Sequence, residues 1–209
     1  MIGFYNYTVI LTYVGVCFGM LGIYAAAYGD IRGAMICLLA SGFCDLFDGR
    51  IARTKQRTDQ EKRFGIQIDS LADLVDFGAL PAVIGFQLGL EGFRAFLLCL
   101  YVLAALIRLA YFNVQEIMRS EEDGKRTHYT GLPVTAAAIV MPVFALLHAI
   151  PFVKTLYVYP LSMLLVSFLF VSRLKVKKPY GKALGVMALI GVGILVLVIL
   201  FGGEISGGN

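Results

Sequence analysis

The chain is 209 residues long, 59% hydrophobic and 15% charged, and its mean hydropathy is +0.80. Soluble domains are about 45–50% apolar and about one quarter charged. This composition therefore excludes an ordinary soluble domain and predicts one bundle of membrane-spanning helices. In a membrane protein the net charge of +4 indicates a topology bias and attraction to anionic lipid, rather than binding to nucleic acid.

Seven apolar segments approach the length of about 20 residues that a spanning helix needs. The first carries Gly15 and Gly19, whose spacing is typical of closely packed helices. No charged residue precedes Asp30, so this segment lacks the basic start of a secretory signal and we expect it to be retained. In chain order the predicted spans are Tyr7–Tyr28, Arg32–Arg53, Gly65–Leu90, Phe93–Met118, Gly131–Ile150, Val153–Ser172 and Ala183–Phe201.

Basic residues collect in alternate loops between these spans. By the positive-inside rule the richer loops face the cytoplasm, which places the N-terminus inside and, after seven spans, the C-terminus outside. The richer loops contain Arg53, Lys55, Arg57, Lys62, Arg63, Arg119, Lys125, Arg126, Arg173, Lys175, Lys177, Lys178 and Lys182, and the poorer ones contain Arg32, Arg94 and Lys154.

The stretch from Phe43 to Pro81 places aspartates inside two otherwise apolar spans. Asp45 and Asp48 lie near the end of the second span, and Asp69 and Asp73 lie near the start of the third. At about 1.5 Å per residue, they are roughly 6–12 Å below the same cytoplasmic face. Because each pair is three or four residues apart, each helix presents its carboxylates on one face.

Small residues continue both acidic faces and leave room for a ligand near the backbone. Gly49 and Ala52 follow Asp45 at i+4 and i+7, Gly65 precedes the second pair by one turn, and Asp76 follows it. A charged residue at mid-span costs about 2.5–3.5 kcal/mol, so protons or cations must compensate. An all-oxygen cluster favours Mg²⁺ or Mn²⁺, and two such ions are a usual device for in-line phosphoryl transfer.

The aspartates could instead serve either of two different purposes. Buried ion pairs with Arg50, Arg53 or Arg108 could hold the bundle together without any ligand. A divalent-cation transporter could also use such carboxylates, although it would be expected to place them near the bilayer midplane on broken helices. The spacing of the residues leaves both alternatives open.

The acidic stretch reads Asp45-x2-Asp48-Gly49-x2-Ala52-Arg53-x11-Gly65-x3-Asp69-x3-Asp73. It resembles the signature of the CDP-alcohol phosphatidyltransferase family at every fixed position, although the gap before Gly65 is longer than is common there. Further markers are similar to the phosphatidylserine synthase branch of that family: Phe77-Gly78, Pro81, Arg108, Asn113 and Gly131-Leu132-Pro133.

The resemblance implies an all-α integral membrane protein that forms one domain over 1–209. Its six-helix core would cover about 5–172, with an added C-terminal span at about 183–202. It also implies a homodimer in the cell membrane, with the active site facing the cytoplasm. The implied reaction transfers the phosphatidyl group of CDP-diacylglycerol to L-serine and releases CMP; glycerol phosphate or an inositol phosphate remains the alternative acceptor.

Site roles carry over from the resemblance position by position. Two divalent ions, Mg²⁺ or Mn²⁺, are expected on Asp45, Asp48, Asp69 and Asp73, and Asp73 is also the expected general base. The CDP group is expected at Asp45, Gly49, Ala52, Arg53 and Gly65. Arg108 is a candidate for binding phosphate or the serine carboxylate, because guanidinium matches either, and the other candidates for the acceptor side are Asn113, Arg126 and Tyr129.

Overall fold

The computed structural model describes residues 3–121, 128–147, 155–177 and 182–203. Within these ranges it describes the backbone alone for 53, 119–121, 128–130, 155–156, 175–177 and 182–183. Its helices are, in chain order, α1 (Tyr7–Ala27), α2 (Ile31–Ile51), α3 (Asp59–Asp73), α4 (Leu80–Gln87), α5 (Ala95–Glu121), α6 (Ala137–Leu146), α7 (Thr155–Val171) and α8 (Lys182–Phe201).

The all-α membrane fold predicted from composition is confirmed. A six-residue π-helical segment, Leu74–Ala79, joins α3 to α4, so the described residues form seven helical rods. Helices long and apolar enough to cross a membrane cover Tyr7–Ala27, Gly92–Met118 and Leu184–Phe201, and shorter apolar helices cover Val134–Leu146 and Tyr157–Val171. The acidic helices α2 and α3 are outside this group.

Two connections differ from the prediction. The predicted spans leave a polar loop from Thr54 to Phe64. This prediction is wrong for the second half of the loop, because α3 already begins at Asp59. Thr58 and Glu61 form a capping box there, which satisfies the free N–H groups of the first turn. The second difference is a short antiparallel pair of strands, β1 (His128–Thr130) with β2 (Lys175–Lys177). No alternation of apolar and polar residues in the sequence predicted these strands.

Pro81 explains an unusual contact in the middle of the α3–α4 rod. Proline has no N–H, so the carbonyl four residues earlier, that of Phe77, loses its helical donor. The hydroxyl of Tyr101 on α5 donates to this carbonyl at 2.8 Å, and Tyr101 is fully buried. The hydroxyl of Tyr159 on α7 donates to the Pro81 carbonyl at 2.9 Å. Two buried tyrosines thus fix the rod that carries the second acidic face.

The glycine face of α1 lies against both acidic helices. Gly15, Gly19 and Gly22 are buried, and a Cβ atom at Gly22 would approach Leu80 to 2.7 Å. Helix α1 packs along α2 and along the α3–α4 rod. Because small side chains let the backbones approach closely, this face sets the distance between the two rods.

Glu61 ties three segments together at the start of α3. Its carboxylate accepts hydrogen bonds from the Thr58 backbone N–H at 2.9 Å, from Lys55 Nζ at 3.1 Å and from Asn6 Nδ2 at 3.1 Å. These contacts, the Thr58 N–H first among them, lower the pKa of Glu61 to about 2. The N-terminal segment and the loop before α3 are therefore fastened to one carboxylate.

Substituting Glu61→Gln should lower the thermal unfolding temperature at pH 6 but much less at pH 3. The pKa is lower in the folded state than the usual value of about 4.3, so the charged form stabilises the fold above that pH. This contribution is lost as the pH falls towards the folded-state pKa of about 2. Asp59→Asn, at an exposed carboxylate paired with Lys62, is the control. A Glu61→Gln deficit that stays the same at both pH values would contradict the assignment.

Candidate functional site

Three aspartates from two helices meet at one end of the bundle. Asp45 and Asp48 come from the last two turns of α2, and Asp69 comes from the end of α3. One carboxylate oxygen of each residue lies within 4.8 Å of the other two. Thr12 on α1 donates a long hydrogen bond of 3.4 Å to Asp48. The structure thus brings together three of the four carboxylates expected to meet, and their role as ligands stays a prediction.

The chemistry of this group fits a hard divalent cation. Within the described residues, no basic side chain forms an ion pair with any of the three carboxylates. Like charges at this separation repel strongly in surroundings of low dielectric constant. An oxygen-only set is the kind that Mg²⁺ and Mn²⁺ prefer. The buried ion pairs considered as an alternative therefore find no support in this part of the chain.

Asp73 lies one turn beyond Asp69 and stands outside this group. It is half-buried and is the last residue of α3, directly before the π-helical segment. The spacing from Asp69 still places both side chains on the same face of the helix. Its expected roles, as the fourth ligand and as the general base, remain predictions.

Asp76, which the sequence placed on the acidic face, lies against α1 and is not one of the three grouped carboxylates. The α-helical spacing rule ends at Asp73, because the backbone from Leu74 to Ala79 is π-helical. The Asp76 carboxylate is 3% exposed and lies in the notch made by Gly15 and Gly19 of α1. Its Oδ1 atom has no hydrogen-bond partner within the described residues. The Gly15–Gly19 pattern therefore makes room for a carboxylate as well as for a neighbouring helix.

The segment expected to bind CDP is open at one glycine and covered at the other. Gly49 is exposed, and a Cβ atom there would have no neighbour within 4 Å. A Cβ atom at Gly65 would lie 3.1 Å from Nη1 of Arg57. Sequence reasoning assigned no role to Arg57, although the lengthened basic loop that carries it was visible. Ala52 begins a short 3₁₀ turn, Ala52–Thr54.

Arg108 is buried at 4% exposure and is held by the chain near Gly131. Its Nε donates to the carbonyl of Leu132 at 3.1 Å, and its guanidinium lies 5.6 Å from the centre of the Phe112 ring. Gly131 has φ +80°, and a Cβ atom there would lie 2.8 Å from the Phe170 carbonyl oxygen and 3.3 Å from Arg108 Nε. Within the described residues Arg108 forms no ion pair with Asp45, Asp48, Asp69 or Asp76, so the buried ion pair considered for it finds no support there.

Asn113 forms side-chain hydrogen bonds with two residues of α3. Its Oδ1 atom accepts a hydrogen bond of 2.6 Å from Ser70, and its Nδ2 donates to Gln67 at 3.4 Å. Ser70 directly follows Asp69, so Asn113 can position the acidic helix. Ser70 lies in the stretch from Gly65 to Asp73 that resembles the phosphatidylserine synthase branch, but the sequence assigned it no role of its own. Arg126 lies outside the described residues, and of Arg53 and Tyr129 only the backbone is described.

Residues 5–171 match the family model described as CDP-alcohol phosphatidyltransferase. The chain belongs to this family. The match includes the whole acidic group and ends at the last residue of α7, so that α8 lies beyond it.

Curated relatives of this family member carry the name CDP-diacylglycerol–serine O-phosphatidyltransferase. The Saccharomyces cerevisiae protein is 41% identical over 105 residues, which are 48% of this chain and 37% of the relative. The Helicobacter pylori J99 protein is 33% identical over 149 residues, 68% of this chain and 58% of the relative. The Bacillus subtilis protein is 28% identical over 167 residues, 78% of this chain and 84% of the relative. The chain thus spans less than two thirds of the length of the Saccharomyces cerevisiae and Helicobacter pylori proteins.

Manganese should stabilise the purified family member, and the effect should depend on the three grouped carboxylates. At a hundredfold excess over Kd, a ligand adds about 2.7 kcal/mol, or roughly 5–10 °C at about 2–4 °C per kcal/mol. Thermal unfolding in detergent, with and without Mn²⁺, measures this shift. Asp48→Asn and Asp69→Asn should abolish it, and Asp59→Asn should leave it unchanged. An equal shift in Asp48→Asn would contradict the metal site.

Proposed function

We propose that the chain transfers the phosphatidyl group of CDP-diacylglycerol to the hydroxyl of L-serine, giving phosphatidylserine and CMP. The observation that carries this proposal is the group of three carboxylates within 4.8 Å, formed by residues of the family signature. The names of the relatives support CDP-diacylglycerol and serine as the substrates. Family membership also favours a transferase over the divalent-cation transporter.

In the proposed reaction, the serine Oγ forms a bond to the lipid-linked phosphorus while the bond from that phosphorus to the bridging oxygen of CMP breaks. The hydroxyl proton passes to the carboxylate of Asp73, and CMP leaves with the bridging oxygen. Two divalent ions, Mg²⁺ or Mn²⁺, held by Asp45, Asp48, Asp69 and Asp73 would supply positive charge to the pyrophosphate oxygens. Asp73 must come within hydrogen-bond reach of the hydroxyl.

The remaining site residues would bind and orient the substrates. Gly49 leaves open space beside the acidic group, in keeping with a nucleotide lying close to the backbone. Arg108, fixed by its bond to the Leu132 carbonyl, would bind the serine carboxylate or a phosphate, since guanidinium matches both. Asn113 is better supported as a residue that positions α3 through Ser70 than as a direct acceptor ligand.

The setting of the reaction is proposed on the same grounds. The basic loops at the acidic end of the helices support an active site on the cytoplasmic face of the cell membrane. At that depth a lipid head group could reach the carboxylates while its acyl chains stay in the bilayer. A homodimer and the two-ion stoichiometry rest on the family resemblance.

Release of CMP from CDP-diacylglycerol should require a divalent ion and L-serine. The purified protein in detergent would be given Mg²⁺ or Mn²⁺ and, in turn, L-serine, glycerol 3-phosphate or an inositol phosphate. Loss of a general base costs about 10²–10⁴-fold, so Asp73→Asn should reduce kcat by that order, whereas Asp59→Asn should not. Release with a phosphorylated polyol but not with serine would overturn the acceptor. Full activity in Asp73→Asn would overturn the base.

A further inference from the structure

A shallow, open cleft with a cavity volume of about 50 Å³ lies between α2, α6 and α8. Asp45 lines it and belongs to the acidic group as well. Among the described residues that line the cleft, Asp45 is the one charged residue, and the others are almost wholly apolar and include Leu46, Ile139 and Met187. The cleft is thus an apolar space in a membrane protein that begins at a proposed metal ligand.

Helix α8 forms one wall of this cleft although it lies beyond the family match at 5–171. Met187 and Gly191 are its lining residues. A Cβ atom at Gly191 would lie 2.9 Å from the ring of Phe43 on α2, so the glycine lets this ring rest against α8. A larger residue at position 191 would clash with this ring, which also lines the cleft.

We propose that the cleft holds one acyl chain of the lipid substrate and that Met187 and Gly191 on α8 determine which chains fit. This inference rests on the proposed function, because the pyrophosphate of the same molecule would lie at Asp45. The acyl chain moves from the apolar interior of the bilayer into an apolar cleft, so this transfer brings little hydrophobic gain. Discrimination then comes from packing contacts and from overlap with the wall, as in a protein core.

Met187→Trp tests the cleft by filling it, and Leu189→Trp is the matched control. Leu189 is on the same helix but 73% exposed, so its replacement does not enter the cleft. With long-chain CDP-diacylglycerol, Met187→Trp should raise KM about tenfold, since overpacking costs about 1–3 kcal/mol. With a short-chain CDP-diacylglycerol, KM should stay near that of the wild type. Leu189→Trp should change neither value.

A milder pair of variants covers the case in which Met187→Trp does not fold. Gly191→Ala should displace the Phe43 ring and raise the long-chain KM, whereas Gly193→Ala, where a Cβ atom meets nothing within 4 Å, should not. If KM responds alike to both chain lengths in Met187→Trp or Gly191→Ala, or if these variants match their controls, the cleft proposal is wrong. If the wild type releases no CMP with any acceptor, the proposed function itself fails.

Arg57 supports a second and independent inference. It is half-buried and forms no ion pair or hydrogen bond within the described residues. Its Nη1 atom lies over Gly65, which is one helical turn, about 6 Å, before Asp69. Its loop is fastened by the contacts of Glu61 with Thr58 and Lys55. An arginine that pairs with none of the described residues is therefore held beside the segment proposed to bind CDP.

We infer that Arg57 binds a phosphate oxygen of the CDP group, which again rests on the proposed function. Guanidinium donates two parallel hydrogen bonds to a phosphate, and within the described residues the three grouped carboxylates form no ion pair with a basic side chain. The long loop before α3 would then contribute a direct contact to the nucleotide.

Arg57→Ala should raise both the KM for CDP-diacylglycerol and the inhibition constant of CMP about 10–100-fold, because a charged hydrogen bond contributes about 1.5–3 kcal/mol. The KM for serine should not change, and Arg57→Lys should restore part of the loss. Lys62→Ala, at an exposed lysine paired with Asp59, is the control. Equal CMP inhibition in Arg57→Ala and Lys62→Ala would overturn this inference, whereas a wild type without activity would instead overturn the proposed function.

Discussion

The approach of three carboxylates within 4.8 Å is the constraint on which the site depends. Two helix ends must be pressed together although Asp45, Asp48 and Asp69 repel each other in a medium that stabilises charge poorly. Packing against the glycine face of α1 and the tyrosine hydrogen bonds to the α3–α4 rod hold the helices together. A divalent cation bound between the carboxylates would reduce their repulsion.

The π-helical segment sets the position of the last aspartate of the rod. Asp69 and Asp73 precede it on one α-helical face, whereas Asp76 falls within it and lies against Gly15 and Gly19. π-Helical turns often occur at functional sites, and here the turn is accompanied by Pro81 and by the hydroxyl of Tyr101. Pro81 leaves the Phe77 carbonyl without a helical donor, and the Tyr101 hydroxyl satisfies it beside Asp76.

Two segments adjoin the proposed site. The loop before α3 places Arg57 over Gly65. Helix α8 lies beyond the family match, and it lines the cleft that begins at Asp45. Segments of this kind can change substrate preference, because they alter the residues that contact the substrate without changing the acidic group.

The sequence by itself determined the membrane class, the rods and the acidic group, because hydropathy, helical spacing and the signature residues are local properties. Helical spacing within each pair, together with a similar depth below one face, predicted that Asp45, Asp48, Asp69 and Asp73 would meet, and the structure groups the first three. Only the tertiary structure decided where Asp76 points, that Asn113 bonds to Ser70, and that Arg57 covers Gly65. These outcomes depend on a π-helical turn, on the loop conformation and on contacts between distant helices, and local spacing does not encode them.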